Sequence, residues 1–255
     1  MTCKVINFKK SLQFILLTTF LLLLIFLLSK ILPFTNYTNK FIAQLIIVLI
    51  MVLYFKLYNK MGLFNFKVIT FFNGLWLGSY IFVIILFNVI TNFKTISTLE
   101  LTFTTIILIV LANVTIGLFE EIICRGVIFN SFLKNNSPVK AAFISSCIFG
   151  VIHLLNLTHT NDYIGTFSQV IYATFLGILF SAIYYKTKNL WSVIFLHSIL
   201  DISSGFYDIS NSGKNIVETH TDIISGIITV VIILPALVIG YKIIKKVNYN
   251  RSIYL

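Results

Sequence analysis

Long apolar runs recur along the chain, and its polar residues gather between them. A helix of about 20 apolar residues is long enough to cross a bilayer. By length, the apolar segments therefore predict eight membrane-spanning helices. The predicted spans are 12–33, 41–58, 68–91, 103–131, 139–157, 167–185, 190–205 and 222–243.

The first apolar run follows Lys4, Lys9 and Lys10, as the apolar part of a signal peptide would. The run from Leu12 to Leu28 is too long for a typical signal peptide, however, and no small-residue cleavage site follows it. We therefore expect a first transmembrane helix that is retained.

The loop charges support the count of eight helices with both termini cytoplasmic. Short cytoplasmic loops are enriched in Lys and Arg, and this arrangement puts fourteen basic residues inside and four outside. The inner set is Lys4, Lys9, Lys10, Lys56, Lys60, Lys67, Lys134, Lys140, Lys186, Lys188, Lys242, Lys245, Lys246 and Arg251, and the outer set is Lys30, Lys40, Lys94 and Lys214.

Composition agrees with a chain that lies in a membrane. Hydrophobic residues make up 58% and charged residues 11% of the 255 residues, against about 45–50% and 25% in soluble domains. The net charge of +11 is spread over loops, so the partner that it indicates is the bilayer and not nucleic acid. We predict an all-α, polytopic helical bundle that forms a single domain over residues 1–255.

Several ionisable residues lie inside the predicted spans, within a core of about residues 103–205. An unpaired charge at the bilayer centre costs about 2.5–3.5 kcal/mol on insertion scales, so such residues face a bundle interior or a wet cavity. The residues concerned are Glu120, Glu121, Arg125, His153, His197 and Asp201.

Helical spacing pairs some of these residues. Glu121 and Arg125 are four apart and share a helix face, as do His197 and Asp201. Glu120 is rotated by about 100° from Glu121 because a turn takes 3.6 residues. Glu120 is therefore the carboxylate that we expect to be available for chemistry.

The predicted depths place ionisable residues of three helices in one layer of the membrane. At 1.5 Å per residue, Glu120 lies about 21 Å from Lys134 along its helix. By the same rise, His153 lies about 20 Å from Lys140, and Asp201 about 20 Å from Lys188.

Two imidazoles and several carboxylates at one depth suit the activation of water for amide hydrolysis. Two His and one carboxylate are also a zinc-ligand set. The residue types do not decide between a metal site and metal-free activation. A Glu-Glu pair in a membrane helix is also compatible with a proton-coupled transporter, although inverted repeats are not evident.

Three motifs follow one another in the core: E-E-x-x-x-R from Glu120 to Arg125, F-x-x-x-H from Phe149 to His153, and H-x-x-x-D from His197 to Asp201. Together they resemble the CPBP family of intramembrane proteases, which includes CAAX prenyl proteases and bacteriocin-processing or immunity proteins. The resemblance covers about residues 120–201, which is roughly a third of the chain.

The resemblance implies an intramembrane endopeptidase in which Glu120 activates water. His153, His197 and Asp201 would complete the site as oxyanion donors or as ligands of a metal such as Zn²⁺. Glu121 and Arg125 would support it. The substrate would be a peptide or membrane protein. Because the Ile, Lys, Asn and Phe richness suggests an AT-rich genome, we expect a bacterial cell membrane.

The alternative hypothesis is a non-catalytic bacteriocin-immunity or membrane scaffold protein that has kept the motifs. A proton-coupled transporter is the third hypothesis.

Overall fold

The computed structural model describes residues 2–34, 36–97, 102–158, 160–212 and 220–252, and within them all regular structure is helical. Ten α-helices occur in these residues: α1 Thr2–Ile31, α2 Asn36–Leu57, α3 Val68–Leu77, α4 Tyr80–Ser97, α5 Phe103–Glu121, α6 Asn130–Leu133, α7 Pro138–Ile152, α8 Tyr163–Thr187, α9 Leu190–Ser212 and α10 Ile223–Ser252. Short 3₁₀ helices cover Met61–Phe64 and His153–Thr158, and a π-helix covers Ile122–Phe129.

Each of the eight predicted spans is helical. Within the described residues, six helical stretches are long and apolar enough to cross a membrane, and the bent pair α3–α4 is a seventh candidate. The remaining prediction corresponds to Leu190–Gly205, a shorter apolar helix. The chain is an all-helical integral membrane protein, and that prediction is confirmed.

The third predicted span, 68–91, is a broken helix. Its halves α3 and α4 meet at an angle of 60°. The break falls at Gly78, which is buried and whose backbone N–H bonds to the carbonyls of Gly74 and Trp76. Glycine favours a helix less than most residues do, which is consistent with the end of α3 at this position.

The fourth predicted span also departs from a regular α-helix. It continues from α5 into eight residues of π-helix, Ile122–Phe129, before α6 begins. A π-helix bonds residue i to residue i+5, so side chains no longer follow a spacing of 3.6 residues. The inferred pairing of Glu121 with Arg125 assumed α-helical geometry, and it stays a prediction.

Two compact units make up the chain. The first, here the arginine unit, comprises residues 1–20, 123–188 and 218–255. In it, α8 packs against both α7 and α10. The second, here the carboxylate unit, comprises residues 21–122 and 189–217, and in it α9 packs against α3, α4 and α5. The expectation of a single domain over 1–255 stays a prediction.

The start of α9 is anchored within the carboxylate unit. The Asn189 side-chain amide donates to the backbone carbonyl of Lys67 and to Oγ1 of Thr70, both at 3.0 Å. The indole Nε1 of Trp191 donates to the carbonyl of Phe64 at 2.8 Å. These long-range bonds fix where α9 enters the unit, and so where its later residues lie.

A carboxylate joins the starts of α8 and α10 within the arginine unit. Asp162 accepts hydrogen bonds from the backbone N–H of Gly165 at 3.0 Å, the N–H of Thr221 at 3.0 Å and the Thr221 hydroxyl at 2.6 Å. Partial burial opposes ionisation, but these hydrogen bonds outweigh it and hold the pKa of Asp162 below its usual value.

Candidate active site

Helices α5 and α9 approach each other closely because a glycine lies at each of two contacts. A methyl group added at Gly117 would overlap Oγ of Ser198 and lie 3.3 Å from the Ser198 backbone nitrogen. One added at Gly205 would lie 2.8 Å from the amide nitrogen of Asn113. The close approach allows the side chains one turn after Gly117 to reach α9.

Three carboxylates surround the imidazole of His197. Nδ1 of His197 lies 2.7 Å from Oε1 of Glu121. On the other side of the ring, Nε2 lies 3.5 Å from Oε2 of Glu120 and 3.5 Å from Oδ2 of Asp201. One imidazole of α9 therefore links both glutamates of α5 to the aspartate on its own helix.

Burial separates these carboxylates into two kinds. The Glu121 side chain is fully buried, whereas those of Glu120 and Asp201 are 24% and 27% exposed. The expected rotation of Glu120 away from Glu121 is visible here as a difference in exposure. Two carboxylates can thus be reached from outside the cluster, and the third cannot.

The hydrogen bond at Nδ1 sets the chemistry of the other ring nitrogen. An ionised Glu121 accepts the Nδ1–H, which fixes both the tautomer and the orientation of the His197 ring. Nε2 then faces the two exposed carboxylates at distances longer than a good hydrogen bond. It can donate when the ring is protonated and accept when the ring is neutral.

A polar patch lies on α9 beyond Asp201. The amide of Asn88 on α4 donates to Oγ of Ser203 at 3.2 Å. The Ser204 hydroxyl donates to the backbone carbonyl of Asp201 at 3.0 Å. Both serines fall within one turn of Asp201, so the polar character of the site continues past the H-x-x-x-D motif.

Gly117, Asn88 and Ser203 also shape this site, although they belong to none of the three motifs. Of these three residues, only Gly117 could have been singled out from the local sequence, because it lies one turn before the two glutamates. The contact of Asn88 with Ser203 joins residues 115 positions apart, and no local pattern could have indicated it.

The arginine of the first motif is held by its own unit. The Arg125 side chain is buried, with its guanidinium 5.0 Å from the Phe149 ring centroid and 5.3 Å from that of Phe180. Its Nη2 donates to the carbonyl of Gly177 at 3.2 Å. The planar guanidinium is well suited to stacking on aromatic rings, and cation–π contacts strengthen when desolvated.

His153 lies at the end of α7, in contact with the phenylalanine of its own motif. Its Nδ1 is 2.8 Å from the carbonyl oxygen of Phe149, and the two rings meet edge to face with centroids 4.9 Å apart. Phe149 therefore contacts Arg125 as well as His153. The spacing F-x-x-x-H corresponds to one helical turn, which explains both contacts between Phe149 and His153.

Four predicted site residues come together in the carboxylate unit. The structure places the carboxylates of Glu120, Glu121 and Asp201 around the imidazole of His197. His153 and Arg125 belong to the arginine unit, where Phe149 contacts both of them.

The residue types allow His153, His197 and Asp201 as ligands if a metal is bound. Within the described residues, no group of three or more His, Cys, Asp and Glu side chains is arranged to hold a metal ion. His153 belongs to the arginine unit, whereas His197 and Asp201 belong to the carboxylate unit.

Comparisons with known proteins agree with the motifs. Residues 102–203 match a family model described as type II CAAX prenyl endopeptidase Rce1-like. The family resemblance is thereby confirmed for this segment. Residues 102–203 include every motif residue, and both α5 and most of α9 fall within them.

A relative from Bacillus subtilis (strain 168), named "Putative membrane peptidase YdiL", is 30% identical over 95 residues. The match covers 37% of this chain and 34% of the relative, so the chain spans about a third of the relative's length. No solved structure matches the chain. Both matches concern proteins described as peptidases, the class of enzyme that the motifs predicted.

Proposed function

We propose that the chain is an intramembrane endopeptidase that hydrolyses a peptide bond of a membrane-associated peptide or protein. The observation that carries the proposal is the cluster at His197. A fully buried glutamate holds one ring nitrogen, and two partly exposed carboxylates face the other. The match of residues 102–203 to an endopeptidase family supports the same reaction.

Glu120 is the general base in this proposal. Its side chain is partly exposed, so water can reach it, and it lies near His197. Glu120 takes a proton from water while the water oxygen bonds to the carbonyl carbon of the substrate. The carbonyl oxygen becomes an oxyanion, and Glu120 then passes the proton to the leaving nitrogen as the C–N bond breaks.

His197 stabilises the oxyanion by donating from Nε2. The Nδ1 contact with Glu121 keeps the ring aimed at the reaction centre. When the ring is protonated, Nε2 can donate to the oxyanion, and the Asp201 carboxylate beside Nε2 helps to position the ring. His153 is proposed as a second group that positions the water or substrate, and Arg125 as a support for the helix that carries Glu120.

The decisive experiment compares the peptides of cells that express the wild type with those of cells that express Glu120→Gln at matched protein levels. Gln has nearly the same shape as Glu but cannot accept the proton. The control is Asp222→Asn, an equally conservative change at an exposed carboxylate outside the cluster. We expect new peptide ends with the wild type and the control, and a loss of about 10²–10⁴-fold with Glu120→Gln.

Peptide ends that persist with Glu120→Gln would overturn the catalytic role. Identical peptide profiles with a retained cellular phenotype would favour a non-catalytic bacteriocin-immunity or scaffold protein. Ion flux in proteoliposomes without cleavage of any peptide would favour the proton-coupled transporter.

The proposed mechanism uses side chains alone, so cleavage by the purified protein should persist in a strong zinc chelator. Loss of activity that added Zn²⁺ restores would favour a metalloprotease instead.

We also propose that both termini are cytoplasmic in a bacterial cell membrane. Reporter fusions at each terminus should then be active only if the reporter functions in the cytoplasm.

A further inference from the structure

An apolar groove lies between α7 and α10 in the arginine unit, apart from every motif residue. Its volume is about 590 Å³, within the range of roughly 300–1,000 Å³ seen for ligand sites. Buried side chains from three helices line it: Ala142 from α7, Ile178 from α8 and Ile244 from α10. The exposed side chains of Phe143 and Val238 also line it.

The helix packing explains why the groove stays open. A methyl group added at Gly240 would lie 2.7 Å from Cα of Leu179, so α10 rests directly on the backbone of α8. On the other side of α8, a methyl group at Gly177 would lie 2.8 Å from Cβ of Ser146 on α7. Because α7 and α10 both pack tightly on α8, a groove remains between α7 and α10 that a small molecule can fill.

Polar and basic groups adjoin the groove at the first turn of α7. Ser137 caps α7, Lys140 lies in its first turn, and Tyr241 lines the groove from α10. Lys245 is one turn after Tyr241 on the same helix face, with its Nζ 5.6 Å from the Tyr241 ring centroid. The N-terminus of α7, a helix of 15 residues, adds the positive end of its dipole.

No acidic residue offsets these charges along the three helices. Helices α7, α8 and α10 contain six Lys and Arg residues and no Asp or Glu. A groove with apolar walls and a basic edge complements a molecule with an apolar chain and an anionic head. In a membrane, anionic phospholipids have this chemistry, and basic pockets between helices bind their headgroups.

We propose that this groove binds one anionic phospholipid. An acyl chain lies along Ala142, Ile178 and Val238, and the phosphate is bound by Lys140 and Lys245 at the N-terminus of α7. This site is separate from the His197 cluster and does not depend on the proposed protease activity.

The test measures phospholipid binding to the purified full-length protein in detergent by native mass spectrometry. Phosphatidylglycerol is compared with phosphatidylcholine of the same acyl chains, and inorganic phosphate is offered as a competitor. We expect at least tenfold tighter binding of phosphatidylglycerol, with no displacement by phosphate. Equal binding of the two lipids, or displacement by phosphate alone, would overturn the proposal.

A pair of double variants tests the headgroup contacts. Lys140→Gln with Lys245→Gln should weaken phosphatidylglycerol binding by about fivefold per lysine, the effect of one basic residue near a lipid surface. The matched control, Lys242→Gln with Lys246→Gln, removes the same charge from a neighbouring face of α10. Equal losses in the two double variants would show a general charge effect and overturn the assignment.

A steric variant tests the acyl chain without changing charge. Val238→Trp fills the groove, whereas Val231→Trp adds the same bulk two turns earlier on α10, at an exposed position outside the groove. Binding of both lipids should fall only with Val238→Trp. Unchanged binding would place the lipid elsewhere, whatever the lysine variants show.

Discussion

The two units of this protein hold their buried charges in opposite ways. In the carboxylate unit, a buried glutamate is matched to an imidazole 2.7 Å away, and two further carboxylates share the other side of that ring. In the arginine unit, a buried guanidinium lies between two phenyl rings and donates to a backbone carbonyl.

The first arrangement is built from groups that exchange protons, and the second from groups that do not. A carboxylate and an imidazole change charge near neutral pH when their surroundings shift them, whereas arginine stays charged. We therefore propose that the His197 cluster supplies the groups that exchange protons and that Arg125 stabilises the arginine unit.

The strongest test of the comparison is Glu121→Gln. The amide keeps the shape and one acceptor oxygen but loses the charge that fixes the imidazole, so we expect kcat to fall by at least tenfold and up to about 10⁴-fold. Because the Glu121 side chain is fully buried, we expect it not to contact the substrate, so KM should stay near the wild-type value. Cleavage kinetics on a substrate found by the peptide comparison would measure both constants. A rise in KM with unchanged kcat would contradict the orienting role.

Replacement of Arg125 separates charge from packing in the arginine unit. Arg125→Met keeps apolar volume but loses two cation–π contacts and a hydrogen bond from a charged donor, a loss of about 2–4 kcal/mol in stability. Arg125→Lys restores the charge but not the planar stack, so it should fall between Met and wild type. Thermal unfolding in detergent measures the series. A Met variant as stable as the wild type would mean that the guanidinium is kept for another reason.

Gly117→Ala tests whether the carboxylate unit depends on the close approach of α5 and α9. The added methyl overlaps Ser198, and overpacking of this kind costs about 1–3 kcal/mol. The Ser198 hydroxyl is buried and has no hydrogen-bond partner among the described residues. Ser198→Ala should therefore be tolerated and should partly rescue Gly117→Ala in cleavage and thermal unfolding. A double variant no better than Gly117→Ala alone would place the strain in the backbone contact instead.

Phe149→Leu tests the link between Arg125 and His153 inside the arginine unit. Leucine keeps apolar bulk but loses the cation–π contact and the edge-to-face contact, so stability should fall by about 1–3 kcal/mol. Phe143→Leu is the matched control on α7, because the Phe143 side chain is largely exposed. Equal thermal shifts in the two variants would argue that Phe149 is only an apolar filler.

The smallest effect concerns pH and the Asp162 contact between α8 and α10. Since the pKa of Asp162 is lowered in the folded protein, its contribution to stability is present above the ordinary carboxyl pKa and is lost as pH falls through the lowered value. Asp162→Asn should remove this part of the pH dependence and reduce stability slightly at neutral pH. Thermal unfolding between neutral and strongly acidic pH measures it. An unchanged pH profile in Asp162→Asn would contradict this role.

The apolar segments follow from the order of the amino acids alone, because the length of a membrane span and the cost of exposing charge to lipid are local properties. The different exposures of Glu120 and Glu121 and the pairing of His197 with Asp201 also follow from helical rotation. The family match over residues 102–203 agrees with motifs that could be read in the same local way.

Contacts between side chains of different helices depend instead on how the helices pack. The contact of His197 with Glu121 joins residues 76 positions apart and depends on the close approach at Gly117. Phe180, which completes the ring pair around Arg125, belongs to no motif, and the π-helix changes the spacing on which local reasoning relies. Helical periodicity fixes the direction of a side chain on its own helix, whereas its partner is fixed by how helices pack, which no local pattern encodes.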